Sequence, residues 1–263
     1  MAGPVLSRKP LVEAIFELHW KLSPSGGPAA TPPSPEVLAD PNYKLALGRF
    51  AGHLESRLPH HEQLPAASVP DEMVANIVQH RFRSGPDGWP LAQIGPGVLS
   101  FNETAAYDWQ PFAEGVKATV RDWRRSYPGS APPQVVKTYL KYIDAVPFEY
   151  ASESVFAFLR KLKIDVQFTS DILTPSGIRG TPAALLWRAA FPSADPVGKL
   201  SLQVATATKD DVPAVAWETT FESADDAAPR DDESLAAWLE AAHKVTSAVF
   251  FRMIEGELYN EFI

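Results

Sequence analysis

The segment KPLVEAIFELHWKL, residues 9 to 22, alternates apolar and polar side chains with a period of two, although four of its apolar residues also share one face at helical spacing. A short alternating segment rich in Val, Ile, Phe and Trp is typical of a half-buried strand. Its Leu, Ala and Glu residues keep a helical alternative open. Because a loop and a clear helix follow it, the pattern favours a strand.

The rest of the first 150 residues contains two kinds of hydrophobic pattern. Apolar residues at steps of three and four predict a helix at residues 42–58 and another that begins within AAYDWQPF and ends before Pro128. Period-two alternation predicts strands at MVANIVQHRFR (residues 73–83), at LAQIGPGVLSFNE, whose Gly-Pro-Gly should bend or bulge the strand, and at PQVVKTYLKYIDAVPF. The order β-α-β-β-α-β is typical of a helix-backed antiparallel or mixed sheet.

The second half begins with a helix near residues 152–162 and continues with strands. The predicted strands are IDVQFTSDI, AALLWRAAF, KLSLQVATA and AVAWETTFE, and the turns between the last three indicate an antiparallel meander. The acidic run SADDAAPRDDES then precedes one long helix at roughly residues 232–260. Its length of ~42 Å exceeds the ~19 Å width of four strands. The surplus should therefore cover the first half of the chain or a second subunit.

These patterns together predict an α+β fold in two domains. Residues 1–150 form the N-terminal domain, and residues 151–263, with the meander and the long C-terminal helix, form a second domain packed on it. The segment at residues 23–41, SPSGGPAATPPSPEVLADP, is rich in proline, glycine and small residues. Such a segment cannot pack a core, so it predicts an extended surface loop within the first domain.

Composition narrows the possible classes of protein. The 263 residues carry a formal net charge of −8, which argues against a broadly basic nucleic-acid surface. The chain has no cysteine, which excludes disulfides, thiolate catalysis and cysteine-based metal sites. No stretch of 18 apolar residues and no secretion signal is found, so we expect a cytoplasmic location without membrane association.

Candidate catalytic and metal-binding groups are few. The polar face of the first strand carries Glu13, Glu17, His19 and Lys21, but Glu13 and Glu17 would lie ~13 Å apart, too far for a coupled acid/base pair. Residues 60–62, His-His-Glu, are the only local cluster of metal ligands, and adjacent histidines on an extended chain point in opposite directions. A surface loop is the simpler interpretation. No nucleophile or phosphate-loop motif is present, so we assign no catalytic, cofactor-binding or metal-binding residue.

A basic face on the second predicted helix is the first candidate binding surface. Lys117, Arg121, Arg124 and Arg125 recur at steps of four, three and one, so they share one side of that helix. They could bind an anionic ligand or a nucleic acid, with Trp123 or Tyr127 available for stacking. The alternative is an ordinary solvated helix face.

Aromatic residues at the start of the same helix form a second candidate surface. Tyr107 and Trp109 precede Phe112, an arrangement that could lock the helix onto the sheet as a hydrophobic staple. If partly exposed, Tyr107 and Trp109, together with Trp123, could instead contact a protein partner.

Three segments, KPLVEAIFELHW, VLSFNETAAYDWQPF with LKYIDAV, and AHKVTSAVFFRMIEGELYNEF, run in this order over nearly the whole chain. Together they resemble a sporadically distributed family of uncharacterised bacterial proteins. Its members more often have an Arg-Tyr-Ile-Asn type of segment where this chain has Lys141 to Asp144. The resemblance implies no established activity and transfers no catalytic residue. The family's patchy occurrence is similar to that of accessory or defence-associated genes, whose products often act by binding partners.

Three functions follow as hypotheses. The leading one is a non-catalytic protein that acts by protein–protein association, as a homo-oligomer or as a subunit of a larger bacterial complex. The alternative is nucleic-acid or anionic-ligand binding through the basic helix face. The third is an enzyme whose site is assembled only in three dimensions, with Glu13, Glu17, His19 and His80 as its candidate residues.

Overall fold

One nine-stranded antiparallel sheet is the centre of this α+β fold. The computed structural model describes residues 6–24, 38–104, 106–129, 132–167, 182 and 184–263. Its strands, in chain order, are β1 (Leu11–Trp20), β2 (Ser23–Pro24), β3 (Leu38–Ala39), β4 (His60–Gln63), β5 (His80–Arg83), β6 (Leu91–Gly95), β7 (Val98–Glu103), β8 (Val135–Pro147), β9 (Leu186–Ala194), β10 (Val197–Lys209) and β11 (Val212–Ala224). The large sheet has the order β4-β5-β6-β7-β1-β8-β11-β10-β9, and β2 pairs only with β3.

Strand β1 lies in the middle of the sheet, between β7 and β8. Ala14, Phe16, Leu18 and Trp20 are buried, and the residues between them are only partly buried. The strand interpretation of this segment is therefore confirmed. Pairing of β8 with β11 joins the strands of the first 150 residues to those of the remaining chain in one sheet.

The helices cover one face of this sheet and leave the other polar. They are α1 (Tyr43–Leu54), α2 (Trp109–Ser126), α3 (Val155–Lys161), α4 (Asp232–Ile254) and α5 (Glu257–Phe262). A first buried cluster joins the apolar face of β1 to α1, α2 and the first half of α4. A second cluster joins β10 and β11 to α3, α5 and the end of α4. Helix α4 thus contributes to both clusters, which accounts for its length.

The C-terminal helix is interrupted, whereas the sequence pattern predicts one helix to about residue 260. Asp231 caps the start of α4, because its carboxylate accepts a hydrogen bond from the backbone N–H of Ser234 at 2.7 Å. The helix ends at Ile254, and α5 begins after Gly256, whose φ is 111°. Glycine adopts this left-handed backbone without a steric penalty, so it allows the change of direction.

The region between α1 and β6 differs from the sequence prediction. The predicted loop at residues 60–62 belongs to edge strand β4, which pairs with β5. The predicted strand at residues 73–83 is reduced to β5, because Asn76 has a positive φ of 62° that interrupts an extended chain. The Gly-Pro-Gly sequence forms the tight turn between β6 and β7 rather than a bend within one strand.

Two other predictions fall partly or wholly on residues 25–37 and 168–181, which lie outside the described residues. Most of the predicted Pro-rich loop is among them. The predicted strand IDVQFTSDI begins at residue 164, and residues 164–167 form no strand in the structure. Among the described residues, no helix has the length and apolar character needed to cross a membrane.

Candidate functional site

A pocket of about 320 Å³ lies between the sheet and the helix layer. Five parts of the chain meet there: the segment leading into β1, the start of α2, strands β8 and β11, and helix α4. The lining residues are Leu6, Lys9, Pro10, Leu11, Tyr107, Asp108, Trp109, Tyr142, Asp144, Thr219, His243, Thr246, Ser247, Phe250 and Phe251. Most of this lining is aromatic or aliphatic, so its few polar groups determine what the pocket can bind.

Asp144 is the most buried ionisable group in the pocket, with only 2% of its surface exposed. On β8 it follows Tyr142 by two positions and pairs with Trp217 of β11, so its side chain is on the helix-covered face. Its Oδ2 atom is buried and has no hydrogen-bond partner in the described part of the chain. Burial raises the pKa of this carboxyl to about 8. At neutral pH the group is therefore mainly protonated.

A local irregularity in β1 lies directly beside Asp144. Leu11 pairs with Asp144 but Glu13 pairs with Ile143, so Val12 is an extra residue on the β1 side. This is the arrangement of a β-bulge, which twists a strand and redirects its side chains. Leu11, at the start of the bulge, packs against the first core cluster and also lines the pocket.

Three polar side chains form a hydrogen-bonded chain along the pocket. The hydroxyl oxygens of Tyr107 and Tyr142 are 2.9 Å apart, and the Tyr142 hydroxyl is 3.0 Å from Nδ1 of His243. Burial raises the pKa of both tyrosines and lowers the pKa of His243 to about 4. At neutral pH the whole chain is therefore uncharged.

Trp109 holds the His243 ring in place. The two rings are stacked, with centroids 3.8 Å apart and an interplanar angle of 8°. Trp109 is the first residue of α2, and its indole N–H donates to both carboxylate oxygens of Glu240 at 3.3 Å. The contact joins the start of α2 to α4, so both helices fix the position of the imidazole.

The remaining polar groups are near the pocket mouth or on its floor. The exposed Lys9 ammonium donates to the backbone carbonyl of Tyr107 at 2.8 Å, and Asp108 is also exposed. On β11, Oγ1 of Thr219 is buried and has no partner within the described ranges. Thr246 on α4 donates to the carbonyl of Ala242 at 2.9 Å, so its hydroxyl is already bonded.

The arrangement can donate or accept hydrogen bonds at a carboxyl group within an aromatic enclosure. Over the residues that the structure describes, no three His, Asp or Glu side chains are grouped as a metal site.

No protein-family model matches the chain, and no curated protein matches its sequence. The resemblance to a bacterial family stays a prediction.

The basic face predicted on α2 is divided in the structure. Lys117 pairs with Glu114, and Arg124 pairs with Asp232 at 2.6 Å. Arg121 and Arg125 are exposed. Only these two cations thus remain for an anionic partner on this face, among the described residues. Anion or nucleic-acid binding there stays a prediction.

The candidate interaction aromatics separate into two groups. Tyr107 and Trp109 both line the pocket. Trp123 is completely buried and packs against Trp20, with ring centroids 5.1 Å apart. The prediction that Trp123 could stack on a ligand or contact a partner is therefore wrong, because no part of its ring reaches the surface.

The polar residues proposed for an enzyme site do not converge. Glu13, Glu17 and His19 lie on the polar face of the sheet, where Glu13 accepts from Asn102 at 2.7 Å and His19 bonds to Glu17 at 2.6 Å. His80 lies on the opposite, helix-covered face, 3.0 Å from His61. That set of four is wrong as a single site, because the sheet separates its members.

Sequence reasoning missed Asp144, Tyr142 and His243 as site residues. The sequence of β8 did contain an indication of Asp144. Leu140, Tyr142 and Asp144 alternate along the strand, so the pattern places this acid on the same face as the buried residues. His243 gave a similar signal, since it lies between Leu239 and Thr246 on the apolar stripe of α4. An ionisable residue on an otherwise apolar face is a site candidate.

Proposed function

We propose that this protein binds a small organic molecule in the pocket between the sheet and α4. The observation that carries this proposal is the Asp144 carboxyl, whose Oδ2 atom is buried in the pocket wall without a partner among the described residues. Burying a polar atom without a hydrogen bond costs free energy, so such atoms are rare in native structures. A ligand that bonds to this oxygen would remove that cost.

The size and lining of the pocket support the same proposal. A volume of about 320 Å³ lies at the small end of the range of roughly 300–1,000 Å³ for ligand pockets. Trp109, Phe250 and Phe251 provide apolar contact area, and the Tyr107–Tyr142–His243 chain provides a fixed polar wall. Both features favour a compact, partly aromatic ligand.

Two tryptophan substitutions on α4 test the pocket. Ser247 lines it, so Ser247→Trp should fill it, whereas the neighbouring Ala248 is exposed and does not line it. A fragment library of neutral, cationic and anionic compounds would be screened by ligand-observed NMR. We expect compounds that bind the wild type and Ala248→Trp but not Ser247→Trp. Hits that all survive Ser247→Trp, or a library without hits, would contradict the proposal.

A second function, association of two copies of the chain, is favoured by the sheet edge at β9. No other described strand pairs with the outer side of β9, and Leu186 and Phe191 on this strand are 70% and 49% exposed. An open apolar edge strand can pair with an identical strand, which extends the sheet across a dimer. This is the form of protein–protein association that the fold supports best.

Light scattering after size-exclusion chromatography tests the association. We expect the wild type to be a dimer, and Leu186→Lys combined with Phe191→Lys to be a monomer. Ile77→Lys is the matched control, because Ile77 is 48% exposed near the other end of the sheet. A wild-type protein that stays monomeric at every concentration would rule out this second function.

A further inference from the structure

We propose that the ligand of the pocket is an organic cation, an ammonium or amidinium group on a small apolar body, whose charge pairs with the Asp144 carboxylate. This inference rests on the proposed small-molecule function and specifies its ligand class. It follows from one acidic oxygen that has no partner among the described residues, in the wall of a pocket lined by aromatic rings.

The Asp144 carboxyl is the only acid at the buried end of the pocket among the described residues, since Asp108 is exposed. A carboxylate is an acceptor with two oxygens, and its Oδ2 has no partner within the described chain. An amidinium or ammonium group brings N–H donors and a compensating positive charge. Charge-assisted hydrogen bonds of this kind are stronger than neutral ones.

Aromatic rings that line the same pocket favour this class of ligand. Tyr107, Trp109, Tyr142, Phe250 and Phe251 all line the pocket. The face of an aromatic ring is electron-rich and attracts a cation, most strongly where water is excluded. The rings also provide contact area for an apolar body. An aromatic enclosure with one acid at its end therefore fits a cation with an apolar body better than an anion.

The other titratable groups facing the pocket do not compete for the cation. Tyr107, Tyr142 and His243 are uncharged at neutral pH and bonded to one another. Lys9 and Asp108 at the mouth carry opposite charges, and β11 contributes the uncharged Thr219. An anionic ligand would meet only Lys9 as a cation among the lining residues, and that ammonium already donates to the carbonyl of Tyr107.

Binding of a cation should release a proton. Burial keeps the Asp144 carboxyl mainly protonated below its pKa of about 8, so the cation replaces the acidic proton: Asp–COOH and R–NH₃⁺ give Asp–COO⁻···⁺H₃N–R and H⁺. The affinity should therefore rise by roughly 50-fold between pH 6 and pH 8, as the ionised fraction rises. Tyr107, Tyr142 and His243 keep their charge state over this range.

Three probes of one shape test the inference: benzamidine as the cation, benzamide as its neutral counterpart and benzoate as the anion. Isothermal titration calorimetry with the whole protein at pH 6 and pH 8 gives affinities, and buffers of different ionisation enthalpy give the protons released. We expect benzamidine to bind most tightly, with the roughly 50-fold pH effect and release of close to one proton at pH 6. Asp144→Asn should abolish benzamidine binding and retain any weak benzamide binding.

The outcomes separate this inference from the proposed function. If benzamide or benzoate binds as well as benzamidine, and Ser247→Trp prevents it, the ligand class is wrong and the pocket function stands. If benzamidine binds without a pH effect, or survives both Asp144→Asn and Ser247→Trp, the inference is overturned. Should Asp144→Asn fail to fold, the pH effect and proton release of the wild type still decide the matter.

Discussion

The hydroxyl of Tyr142 on β8 and the imidazole of His243 on α4 are joined by a hydrogen bond, with 3.0 Å between the oxygen and Nδ1. The same hydroxyl lies 2.9 Å from that of Tyr107, just before α2. Tyr142 is thus the middle member of a chain that connects the sheet to both helices. Within the described part of the chain, the Tyr107 hydroxyl and Nδ1 of His243 make no other hydrogen bond, so the chain is a structural link as well as a pocket wall.

Removing the middle hydroxyl should destabilise the protein. Tyr142→Phe leaves Nδ1 of His243 and the Tyr107 hydroxyl without this partner, which should lower the free energy of unfolding by about 1–3 kcal/mol. Urea denaturation measures the change. Tyr259→Phe is the control, because the half-buried Tyr259 has no hydrogen bond from its hydroxyl to any described residue. Equal stability of Tyr142→Phe and the control would show that the chain contributes nothing to stability.

His243 should stay neutral in acid while the unfolded chain takes up a proton. Its pKa is about 4 in the folded protein and 6.5 when unperturbed. The unfolded state thus binds more protons between these values, and stability should fall as the pH decreases through this window, by at most about 1.4 kcal/mol per pH unit. NMR titration of the imidazole gives the pKa directly.

A pair of histidine variants isolates this effect. The Asn side chain of His243→Asn cannot take up a proton. Between pH 6.5 and pH 4, the free energy of unfolding of this variant, measured by urea denaturation, should therefore fall less steeply with decreasing pH than that of the wild type. His53→Asn, at an exposed histidine of α1, is the control for the substitution itself. A titration midpoint of His243 near 6.5 would contradict the burial of its ring.

Asp144 should have the opposite dependence on pH. Its pKa is raised from 3.8 to about 8, so the folded state binds more protons between these values. Stability should therefore fall as the pH increases through the window, by about 1.4 kcal/mol per pH unit. Asp144→Asn is uncharged, and its stability relative to the wild type should increase steadily from pH 5 to pH 8. A constant difference between the two proteins would mean that Asp144 ionises normally.

Two helical glycines should respond oppositely to alanine. A Cβ atom on Gly115 of α2 would lie 2.4 Å from Cζ of the buried Phe101 ring, so Gly115→Ala should cost about 1–3 kcal/mol. No atom of the described residues lies within 4 Å of the same position on Gly48 of α1. Gly48→Ala should stabilise the protein by about 0.5–1 kcal/mol. Thermal denaturation would compare them, and a stabilising Gly115→Ala would show that α2 does not pack this closely on β7.

The hydrophobic pattern of the sequence predicted those helices and strands that have one buried, apolar face and one polar face. The alternation of Phe16, Leu18 and Trp20 predicts β1 because β1 has helices on one face and polar residues on the other. The hydrophobic pattern did not predict edge strand β4. Its sequence, His-His-Glu-Gln, contains no apolar residue that could form an alternating pattern. Its contact with the core is made by His61, whose ring stacks on that of Phe82 with centroids 4.7 Å apart.

The site could be predicted only in part. Tyr107 and Trp109 were recognisable as a cluster because they are close in sequence, but their partners Tyr142 and His243 are 35 and 134 residues further along the chain. A pattern of neighbouring residues cannot show which residues so far apart in the sequence are in contact. Asp144 was detectable as an acid on an apolar face, but only the three-dimensional structure shows that it lies in the wall of a pocket.

Strand β8 has 13 residues, paired with β1 along one side and with β11 along the other. In a fragment that stops at residue 150, the edge of β8 that pairs with β11 would be exposed. In a fragment that starts at residue 151, β11 would lack β8 as its pairing partner. We therefore expect the exchange of either half alone to disrupt the sheet at β8. Recombination between related chains would preserve the protein only where both sides of β8 are inherited together.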